Sequence, residues 1–493
     1  MGADASVAFF IGDDMSTLVT NVHGVKLRHD GILRVIAGER FTPYTLARKL
    51  QAKAILESSS FQKGKERYSI LMIDEAFRIE QKEDLIYMKR GGKRFAIKSG
   101  SRDILDVLLY FAKQQPALHQ DLPLPAGGIG YLSYEFARFC DTIKFQMKRD
   151  ALSLPDAEFL FGHVYVIFDH YTDVIYLMGL NYNEHEIDLE SALDSIESKL
   201  NDLDFTYLSN NQTTYTAEII EDKKGRETFL SGVEKVRGEI IRGNLLQGVL
   251  SRRIYVKSHI PALEAYRNLR STNPSPYLFY LDFGEYQLFG SSPEVHVKVR
   301  DGQGYIHPLA GTRKRGATAE EDVRLERELL GDEKERAEHL MLVDLARNDL
   351  GRICTPGSVK VTELMGVERY SHVMHIFSRV QGELQPGRNG LDAVRATLPA
   401  GTVSGAPKIR AIETIDAIET EPRRFYAGLV GYVEPDGSLD TCITIRSALK
   451  KNGRLVLQAG AGVVYDSDPV KEYEETNQKL WALAKSIGVE EMR

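Results

Sequence analysis

The stretch FYAGLVGYVEPDGSLDTCITIRSALKKNGRLVLQAGAGVVY, residues 425–465, decides the fold class of this chain. Its runs of β-branched, aromatic and apolar residues are typical of β-strands. Two turn sequences, PDG at 435–437 and KNG at 451–453, separate these runs, and short turns of this kind join antiparallel neighbours. The stretch therefore predicts a meander of three antiparallel strands.

Elsewhere, strands and helices mix without the strict strand–helix alternation of a parallel sheet, so we expect an α+β fold. Strand-like runs occur at 68–79, 158–168 and 173–182. Helical patterns, identified mainly from apolar residues three and four positions apart, occur at 184–203, 226–243, 319–347 and 469–487. The polar segment LSNNQTT, at 208–214, is the best candidate for a linker, and it divides the chain into predicted units of residues 1–208 and 215–493.

The composition is that of a globular protein: the 493 residues are 43% hydrophobic and 27% charged, with a net charge of −7. The chain has no stripe of Lys and Arg for nucleic acid, no apolar run of ~18 residues for a membrane, and no signal-peptide pattern. Its three cysteines, Cys140, Cys354 and Cys442, are too few for a disulfide framework. We therefore expect a soluble, cytoplasmic protein that binds neither nucleic acid nor membranes.

Motifs of several common enzyme classes are missing from the sequence. It contains no P-loop and no GxGxxG between a strand and a helix. It also contains no GxSxG and no HExxH. Nucleotide-binding enzymes and the familiar hydrolases of these types are therefore disfavoured.

Two pairs of glutamates lie in predicted helices. Glu335 and Glu338 are three residues apart, as are Glu472 and Glu475, so each pair shares one helix face. If both faces met at one cavity, their oxygens would suit Mg²⁺, a hard cation that takes few protein carboxylates. Glutamates on helices are more often solvated, and the spacing alone leaves that reading open.

Two further features suggest the binding of an anion. Gly460 and Gly462 alternate with alanines in LQAGAGVV, which leaves the backbone N–H groups approachable. Close packing of two backbones would explain the same pattern. Arg446 stands in the apolar run CITIRSAL, where strand alternation places it on the face of Thr444. A buried arginine needs an anionic partner, which is either a ligand or a structural carboxylate.

Six motifs follow one another through the second half of the chain. They are HPLAGTRKRG (307–316), KERAEHLMLVDLARNDLGR (334–352), RYSHVMHIFSRVQG (369–382), GTVSGAPKIRAIE (401–413), GLVGYVEPDGSLDTCITIRSA (428–448) and LQAGAGVVYDSDPVKEYEETNQK (457–479). Together they resemble the chorismate-utilising enzymes, and the resemblance covers residues 225–483 almost without gaps. In the first half, AILESSS (54–60) and GGIGYLSYE (127–135) resemble the regulatory region of the members that form anthranilate or aminodeoxychorismate.

The resemblance implies a fold and a metal site. The fold would be a two-layer antiparallel β-sandwich with surrounding helices and a cleft between the sheets, with the N-terminal regulatory region packed on it. Glu338 and Glu475 resemble direct ligands of Mg²⁺, whereas Glu335 and Glu472 would hold water molecules of the metal. The cofactor implied by the resemblance is therefore Mg²⁺.

The resemblance also assigns residues to the two carboxylates of chorismate. Backbone groups near Gly460 and Gly462, together with Lys479, would help the metal to hold the ring carboxylate. Tyr432 and Arg446 resemble the residues that bind the enolpyruvyl carboxylate. Thr312 and Thr402 would line the cleft as hydrogen-bonding groups.

Two residues resemble the catalytic acid and its helper. Glu294, in GSSPEV, resembles the general acid that protonates the departing ring hydroxyl, which predicts that burial raises its pKa. His375, in VMHIF, resembles the residue beside the enolpyruvyl oxygen that assists pyruvate loss. His372 is its nearby rival.

Two positions distinguish among the members of the family. Gln247 stands where the members that add water carry a lysine base, and Ala310 stands where the aminodeoxychorismate-forming members carry a lysine thought to bind the ring. Ammonia needs no such base, so the resemblance implies amination of chorismate and then loss of pyruvate to give anthranilate. Enzymes that stop at aminodeoxyisochorismate, or that resemble the aminodeoxychorismate-forming members, are the alternatives.

The resemblance further implies a partner and an inhibitor. We expect a separate glutamine amidotransferase subunit to deliver ammonia within a hetero-oligomer, since the three cysteines include no candidate nucleophile of a glutaminase. Tryptophan is the expected feedback inhibitor, and its predicted site comprises Leu56, Glu57, Ser58, Pro276, Tyr277 and Leu278. His307 departs from the arginine that is common in relatives.

Overall fold

The computed structural model describes residues 9–10, 18–20, 26–28, 31–58, 67–100, 102–116, 122–202, 215–220, 223–369 and 373–490. The predicted linker at 208–214 lies outside the described residues. The boundary between units 1–208 and 215–493 therefore stays a prediction.

The strands are numbered in chain order. They are β1 (Phe9–Phe10), β2 (Leu18–Thr20), β3 (Lys26–Arg28), β4 (Ile32–Ala37), β5 (Ala54–Glu57), β6 (Tyr68–Lys82), β7 (Leu85–Arg90), β8 (Lys93–Lys98), β9 (Ile129–Leu132), β10 (Ala157–Asp169), β11 (Val174–Gly179), β12 (Ala217–Ile220), β13 (Gln247–Ser258), β14 (Tyr277–Asp282), β15 (Tyr286–Ser292), β16 (Val295–Arg300), β17 (Gln303–Ile306), β18 (Leu309–Lys314), β19 (Lys360–Arg369), β20 (Val373–Glu383), β21 (Gly405–Ala406), β22 (Leu429–Val433), β23 (Leu439–Ile443), β24 (Ser447–Lys451) and β25 (Arg454–Val463).

The α-helices are numbered in the same way. They are α1 (Pro43–Leu50), α2 (Ile104–Ala112), α3 (Leu189–Asn201), α4 (Lys223–Ile241), α5 (Ala262–Thr272), α6 (Ala319–Gly331), α7 (Glu333–Gly351), α8 (Gly390–Thr397), α9 (Lys408–Ile418) and α10 (Pro469–Ser486). None of these described helices is both long enough and apolar enough to cross a membrane.

The strands form two antiparallel layers that share β6 and β10, apart from the small β2–β3 pair and the parallel contact of β1 with β8. One layer runs β12–β13–β25–β24–β15–β14–β5–β6–β10–β11–β4. The other runs β8–β7–β6–β10–β9–β22–β23–β16–β17–β20, with β18 and β19 also pairing with β20. The predicted α+β class and antiparallel sandwich are confirmed.

The two shared strands change layers at an irregularity around Gly162, where the register of β10 against β6 shifts. Such shifts bend an antiparallel pair. Residues 157–160 of β10 pair with β9, whereas residues 164–169 pair with β11. A Cβ atom at Gly162 would lie 2.5 Å from Cγ of Met72, so this close approach needs glycine.

One apolar core joins the two halves of the chain. Buried residues of β6, β9 and β10 pack in a single cluster with residues from β14, β22 and β25, including Met72, Ile129, Leu160, Phe279, Val430 and Val456. Strand pairing also crosses between the halves, through β5–β14 and β9–β22. The N-terminal region is therefore part of the sandwich rather than an appendage.

Two local predictions need correction. The meander at 425–465 has four strands, because the predicted middle strand breaks between β23 and β24 at Arg446, whose φ is +50°. The predicted helix at 319–347 is two helices, since Asp332 ends α6 and caps α7 by accepting bonds from the backbone N–H groups of Lys334 and Glu335. Both breaks orient residues that line the cavity described next.

Candidate active site

The predicted catalytic, substrate-binding and metal-binding residues, with the exception of Tyr432, line one cavity of about 570 Å³. They are Gln247, Glu294, Thr312, Glu335, Glu338, His375, Thr402, Arg446, Gly460, Gly462, Glu472, Glu475 and Lys479. The residues come from both layers and from helices α7 and α10. A cavity of this size accommodates a small organic ligand.

The two glutamate pairs reach this cavity from separate helices. Glu335 and Glu338 lie on α7, which packs on β18 and β20, and Glu472 and Glu475 lie on α10, which packs on β25. Asp468 caps α10 by accepting bonds from two backbone N–H groups of its first turn. The capped first turns contain Glu335 and Glu472, and the second glutamate of each pair, Glu338 or Glu475, lies one turn further along the same helix.

The carboxylates share a crowded environment. Burial raises the pKa of Glu338, and the charges of Glu335 and Glu475 raise it further. Burial raises the pKa of Glu472 as well. Lys479 Nζ lies 2.6 Å from Glu475 Oε1. Bringing acidic groups together in this way favours a bound cation.

No three Asp, Glu, His or Cys side chains in the described part of the chain come close enough to form a metal site by themselves. Mg²⁺ is commonly held by one or two carboxylates together with water and a ligand anion. The carboxylate oxygens in the cavity wall are donors that suit Mg²⁺ bound together with water and a ligand anion.

Glu294 lies in the turn between β15 and β16, where the backbone is fixed on both sides. The N–H of Ile443 donates to the Glu294 carbonyl at 3.0 Å, and the Ser292 hydroxyl donates to the Ile443 carbonyl at 2.7 Å. Burial raises the pKa of Glu294 to about 7, although Thr402 and Lys479 oppose the shift. The predicted increase in pKa is confirmed, and the acid is protonated in a large fraction of molecules near neutral pH.

His375 lies on β20 with its ring fixed from one side. Its Nδ1 lies 2.9 Å from the Gly311 carbonyl and 3.1 Å from the Thr312 hydroxyl. A carbonyl only accepts, so Nδ1 carries the proton and Nε2 is the basic nitrogen. Burial and the charge of Arg446 lower the pKa of His375, which favours the neutral ring. The rival His372 lies outside the described residues.

Arg446 enters the cavity from the break between β23 and β24. The prediction by strand alternation was wrong, because the left-handed backbone at Arg446 interrupts the strand. Thr444 is fully buried, whereas Arg446 is partly exposed and lines the cavity. Burial lowers the pKa of Arg446, and Tyr426 and Glu475 oppose this shift. The guanidinium lies where an anionic ligand would meet it.

Tyr432 does not lie where the sequence analysis placed it. It belongs to β22, which also pairs with β9, and it lines a second cavity instead. The tyrosine that shares the first cavity with Arg446 is Tyr426, just before β22. Tyr426 belongs to the FYAG segment before the strand, and the left-handed backbone at Ala427, whose φ is +62°, separates it from β22.

Gly460 and Gly462 lie within β25 rather than in a turn, and both line the cavity. A Cβ atom at Gly462 would lie 2.7 Å from Nε2 of Gln247, and one at Gly460 would lie 3.1 Å from the hydroxyl of Tyr426. Lys479 Nζ donates to the Gly460 carbonyl at 2.9 Å. The glycines therefore keep this wall of the cavity open.

Gln247, the first residue of β13, is buried at 3% exposure. Its Nε2 donates to Oε1 of Glu338 at 3.1 Å. Ala310 also lines the cavity. Gln247 and Ala310, the two positions that the resemblance uses to distinguish between reactions, thus both line this cavity.

The second cavity, of about 130 Å³, brings together the six residues of the predicted inhibitor site: Leu56, Glu57, Ser58, Pro276, Tyr277 and Leu278. Pairing of β5 with β14 places Glu57 opposite Leu278. The Glu57 carboxylate accepts from the Tyr266 hydroxyl and lies 3.0 Å from Nε of Arg270. His307 also lines this cavity, and burial lowers its pKa to about 4.

The two cavities share part of one wall, formed by Pro293 and Leu309. Pro293 immediately precedes Glu294 in the chain. A ligand in the second cavity would therefore contact the residue that precedes Glu294.

The chain is similar to known proteins over most of its length. A family model described as chorismate binding enzyme matches residues 59–485. Anthranilate synthase component 1 of Spirochaeta aurantia is 60% identical over 461 residues, which cover 93% of this chain and 96% of that protein. The protein of the same name from Aquifex aeolicus is 40% identical over 463 residues, covering 91% and 93% of the two chains.

Solved structures show the same relationship. The crystal structure of anthranilate synthase component I from Streptococcus pneumoniae TIGR4 superimposes with a TM-score of 0.75 at 38% identity, covering 85% of this chain and 92% of that one. The isochorismate synthase MenF from Escherichia coli gives a TM-score of 0.68 at 20% identity, covering 93% and 94%. Because only 20% of the residues are identical, the similarity to MenF shows a common fold and nothing more.

Proposed function

This chain belongs to the family of chorismate-binding enzymes, and we propose that it is the component of anthranilate synthase that converts chorismate and ammonia into anthranilate, pyruvate and water. The observation that carries the proposal is that one cavity holds Glu294, Arg446 and both glutamate pairs, with Gln247 and Ala310 at the discriminating positions. The 60% identity to a component 1 protein over nearly the whole chain supports the same choice.

Mg²⁺ would be held by Glu338 and Glu475, with Glu335 and Glu472 holding its water molecules. When bound, it supplies positive charge that fixes the ring carboxylate of chorismate. The raised pKa of Glu338 beside two other carboxylates supports this assignment. We therefore expect the enzyme to depend on Mg²⁺.

Chorismate is a dianion, and the chain offers a cation for each end. Lys479, fixed on the carbonyl of Gly460, lies on the same side as the glutamates and would assist at the ring carboxylate. Arg446, with Tyr426 beside it in the cavity wall, would hold the enolpyruvyl carboxylate. Fixing both ends orients the ring for reaction.

In the first step Glu294 acts as the general acid. As ammonia attacks the ring carbon, the ring C–O bond breaks and Glu294 gives its proton to the hydroxyl, which leaves as water. An amide such as Gln247 cannot take a proton from water, whereas ammonia is already a nucleophile. The amide therefore disfavours the hydration reaction and leaves amination.

In the second step the aminated intermediate loses a ring proton and the enolpyruvyl group, which departs as pyruvate and leaves the aromatic ring of anthranilate. His375 would assist this departure from beside the enolpyruvyl oxygen. Its fixed tautomer, with Nδ1 bound to the Gly311 carbonyl, supports a role for Nε2. Aromatisation makes this step favourable.

The ammonia would come from a glutamine amidotransferase partner, so we expect a hetero-oligomer. The component 1 name of the relatives supports the existence of such a partner. The three cysteines are unpaired, which supports a reducing, cytoplasmic setting. The enzyme would be a carbon–oxygen lyase of tryptophan biosynthesis.

Tryptophan would inhibit the enzyme by binding in the second cavity. The cavity collects all six predicted residues, with apolar walls for an indole ring and acidic groups such as Glu57 for an ammonium group. The wall shared through Pro293 provides a short physical connection to Glu294. This arrangement supports feedback control of the first committed step by tryptophan.

The deciding experiment incubates the purified chain with chorismate, Mg²⁺ and ammonium salt, and measures anthranilate by its fluorescence. We expect anthranilate and equimolar pyruvate, and no turnover by Glu338→Gln. Accumulation of a non-aromatic aminated product would instead identify an enzyme that stops at aminodeoxyisochorismate. Omitting Mg²⁺ should stop the reaction, and full activity in the presence of a chelator would contradict the metal assignment.

A further inference from the structure

A small cavity of about 30 Å³, separate from the proposed chorismate site, is also lined by Glu294. Glu294 and Thr402 line both this space and the proposed active site. The general acid therefore faces two compartments. The front one takes the substrate, and the rear one is bounded by β16, α7, α8 and the 400–402 segment.

The rear cavity is lined by both polar and apolar residues. It is large enough for one or two water molecules, since each needs a cavity volume of roughly 10–15 Å³. His296, Thr397 and Asp349 line it together with Glu294. A water molecule here would have donors and acceptors on more than one side. Such a site suits proton transfer better than ligand binding.

Asp349 of α7 also lines this space. Both of its carboxylate oxygens lie within hydrogen-bond distance of Lys408 Nζ, at 2.7 and 2.6 Å. Lys408 Nζ also donates to the Thr397 carbonyl at 3.1 Å. The side chains of Asp349 and Lys408 each retain 10% exposure, so the pair lies at the boundary between the cavity and solvent.

A route of this kind would serve the proposed reaction. When Glu294 has protonated the leaving hydroxyl, it is a buried carboxylate, and the product still fills the front cavity. A proton from the front would have to pass the bound molecule. Return of the proton from behind would reset the acid without opening the active site.

We propose that Asp349 resupplies the proton of Glu294 through water held in the rear cavity; this inference rests on the proposed function. Asp349 takes up a proton from solvent and gives it to a water oxygen while that water gives another proton to the Glu294 carboxylate. Asp349 then returns to the carboxylate that pairs with Lys408, so no net atom or charge is lost. Asp349 acts on the acid rather than on chorismate.

The charged groups around the route are compatible with this role. Asp349 faces Lys408 on α9 and Arg352 just after the end of α7, and these charges oppose the burial that raises its pKa. His296 is kept neutral, because burial and Lys408 lower its pKa to about 3. On the front side, Lys479 is the cation that faces Glu294. Thr402 and Thr397 are the neutral hydroxyl groups between the two ends.

The test is Asp349→Asn, which keeps the shape of the side chain but cannot carry the proton. Anthranilate formation is measured at saturating chorismate, Mg²⁺ and ammonium, in H₂O and in D₂O. We expect kcat to fall about tenfold, with the KM for chorismate unchanged, and the ratio of kcat in H₂O to that in D₂O to rise about twofold as proton delivery becomes limiting.

The chain offers a matched control in Asp416. Lys148 Nζ lies 2.5 Å from Asp416 Oδ1, with side-chain exposures of 10% and 9%, close to those of the Lys408–Asp349 pair. Asp416 lines neither the front nor the rear cavity. Asp416→Asn removes an equally buried acid, so it should change stability while keeping the isotope ratio of the wild type.

A second variant tests the route without altering any charge. Ala346→Val adds two methyl groups to the rear wall and should lower kcat and raise the isotope ratio as Asp349→Asn does. A wild-type isotope ratio in both variants, or an equal change in Asp416→Asn, would overturn the inference. Failure of the wild type itself to form anthranilate would instead refute the proposed function.

Discussion

Gln247 Nε2 and Glu338 Oε1 form a 3.1 Å hydrogen bond between the first residue of β13 and the middle of α7. The bond joins the residue that distinguishes amination from hydration to a proposed ligand of Mg²⁺. Gln247 is buried and Glu338 is half-buried at the cavity wall, so the bond holds one oxygen of this carboxylate in place.

Gln247→Leu removes this donor and leaves a lone pair of Glu338 without its partner. A hydrogen bond to a charged group contributes about 1.5–3 kcal/mol, so we expect kcat/KM with ammonium to fall at least about tenfold. Gln287→Leu is the control, because Gln287 donates to Asp282 at the same 3.1 Å outside the active cavity. Equal losses in the two variants would contradict the role of Gln247.

Glu294 should control the pH dependence of turnover. Because its folded pKa is about 7, kcat should decline as pH rises above 7 and the acid loses its proton. Glu294→Gln should have almost no activity at any pH. Rate measurements between pH 6 and 9 check this, and an unchanged rate across that range would remove Glu294 from the role of acid.

The same group should affect stability. In the unfolded chain its carboxyl ionises near 4.5, whereas in the folded protein it holds its proton to about 7. The contribution of the neutral Glu294 carboxyl to the free energy of unfolding is therefore fully present below pH 4.5. It is lost as the pH rises to 7, and the loss is about 3 kcal/mol. Denaturant unfolding of wild type and Glu294→Gln at pH 5.5 and 8 should show the variant relatively more stable at pH 8. A pH-independent difference would disprove this.

Gly462→Ala should close part of the active cavity. The new Cβ atom would lie 2.7 Å from Nε2 of Gln247, which would push that side chain from Glu338. We expect kcat/KM for chorismate to fall about tenfold while the fold persists, since the end of a side chain can move. Gly331→Ala, which has no atom within 4 Å, is the control and should retain wild-type kinetics.

Tryptophan should raise the melting temperature of the wild type by binding the folded state. Ser58→Leu would fill the second cavity and should abolish the shift while preserving uninhibited turnover. Differential scanning fluorimetry with and without tryptophan measures both proteins. A wild type that does not respond would rule out tryptophan binding in this cavity.

Local motifs predicted most of the active cavity because each carries its own chemistry and backbone context. The helical spacing of Glu335 and Glu338, and the turn that holds Glu294, are local features. The choice between Tyr426 and Tyr432 is different, because the pairing of β22 with β9 and β23 places Tyr432, and the left-handed backbone at Ala427 places Tyr426. Motif order alone does not contain that long-range register.

Two breaks in regular structure were also missed for physical reasons. The residues around Arg446 have strong strand propensity, and the left-handed turn there is held by tertiary bonds such as Ser291 N–H to the Arg446 carbonyl at 3.0 Å. Asp332 lies within a continuous helical pattern, but its side chain caps the following helix. Capping aspartates of this kind can be recognised when they precede an acidic first turn.

The sharing of β6 and β10 between the two layers determines where this polypeptide can be divided. Cutting after residue 208 would strip β14 of β5 and β22 of β9, exposing two unprotected strand edges and an opened apolar interior. Such a fragment would recruit foreign strands and precipitate. We therefore expect that the catalytic region can be expressed or engineered only together with the strands that precede residue 208.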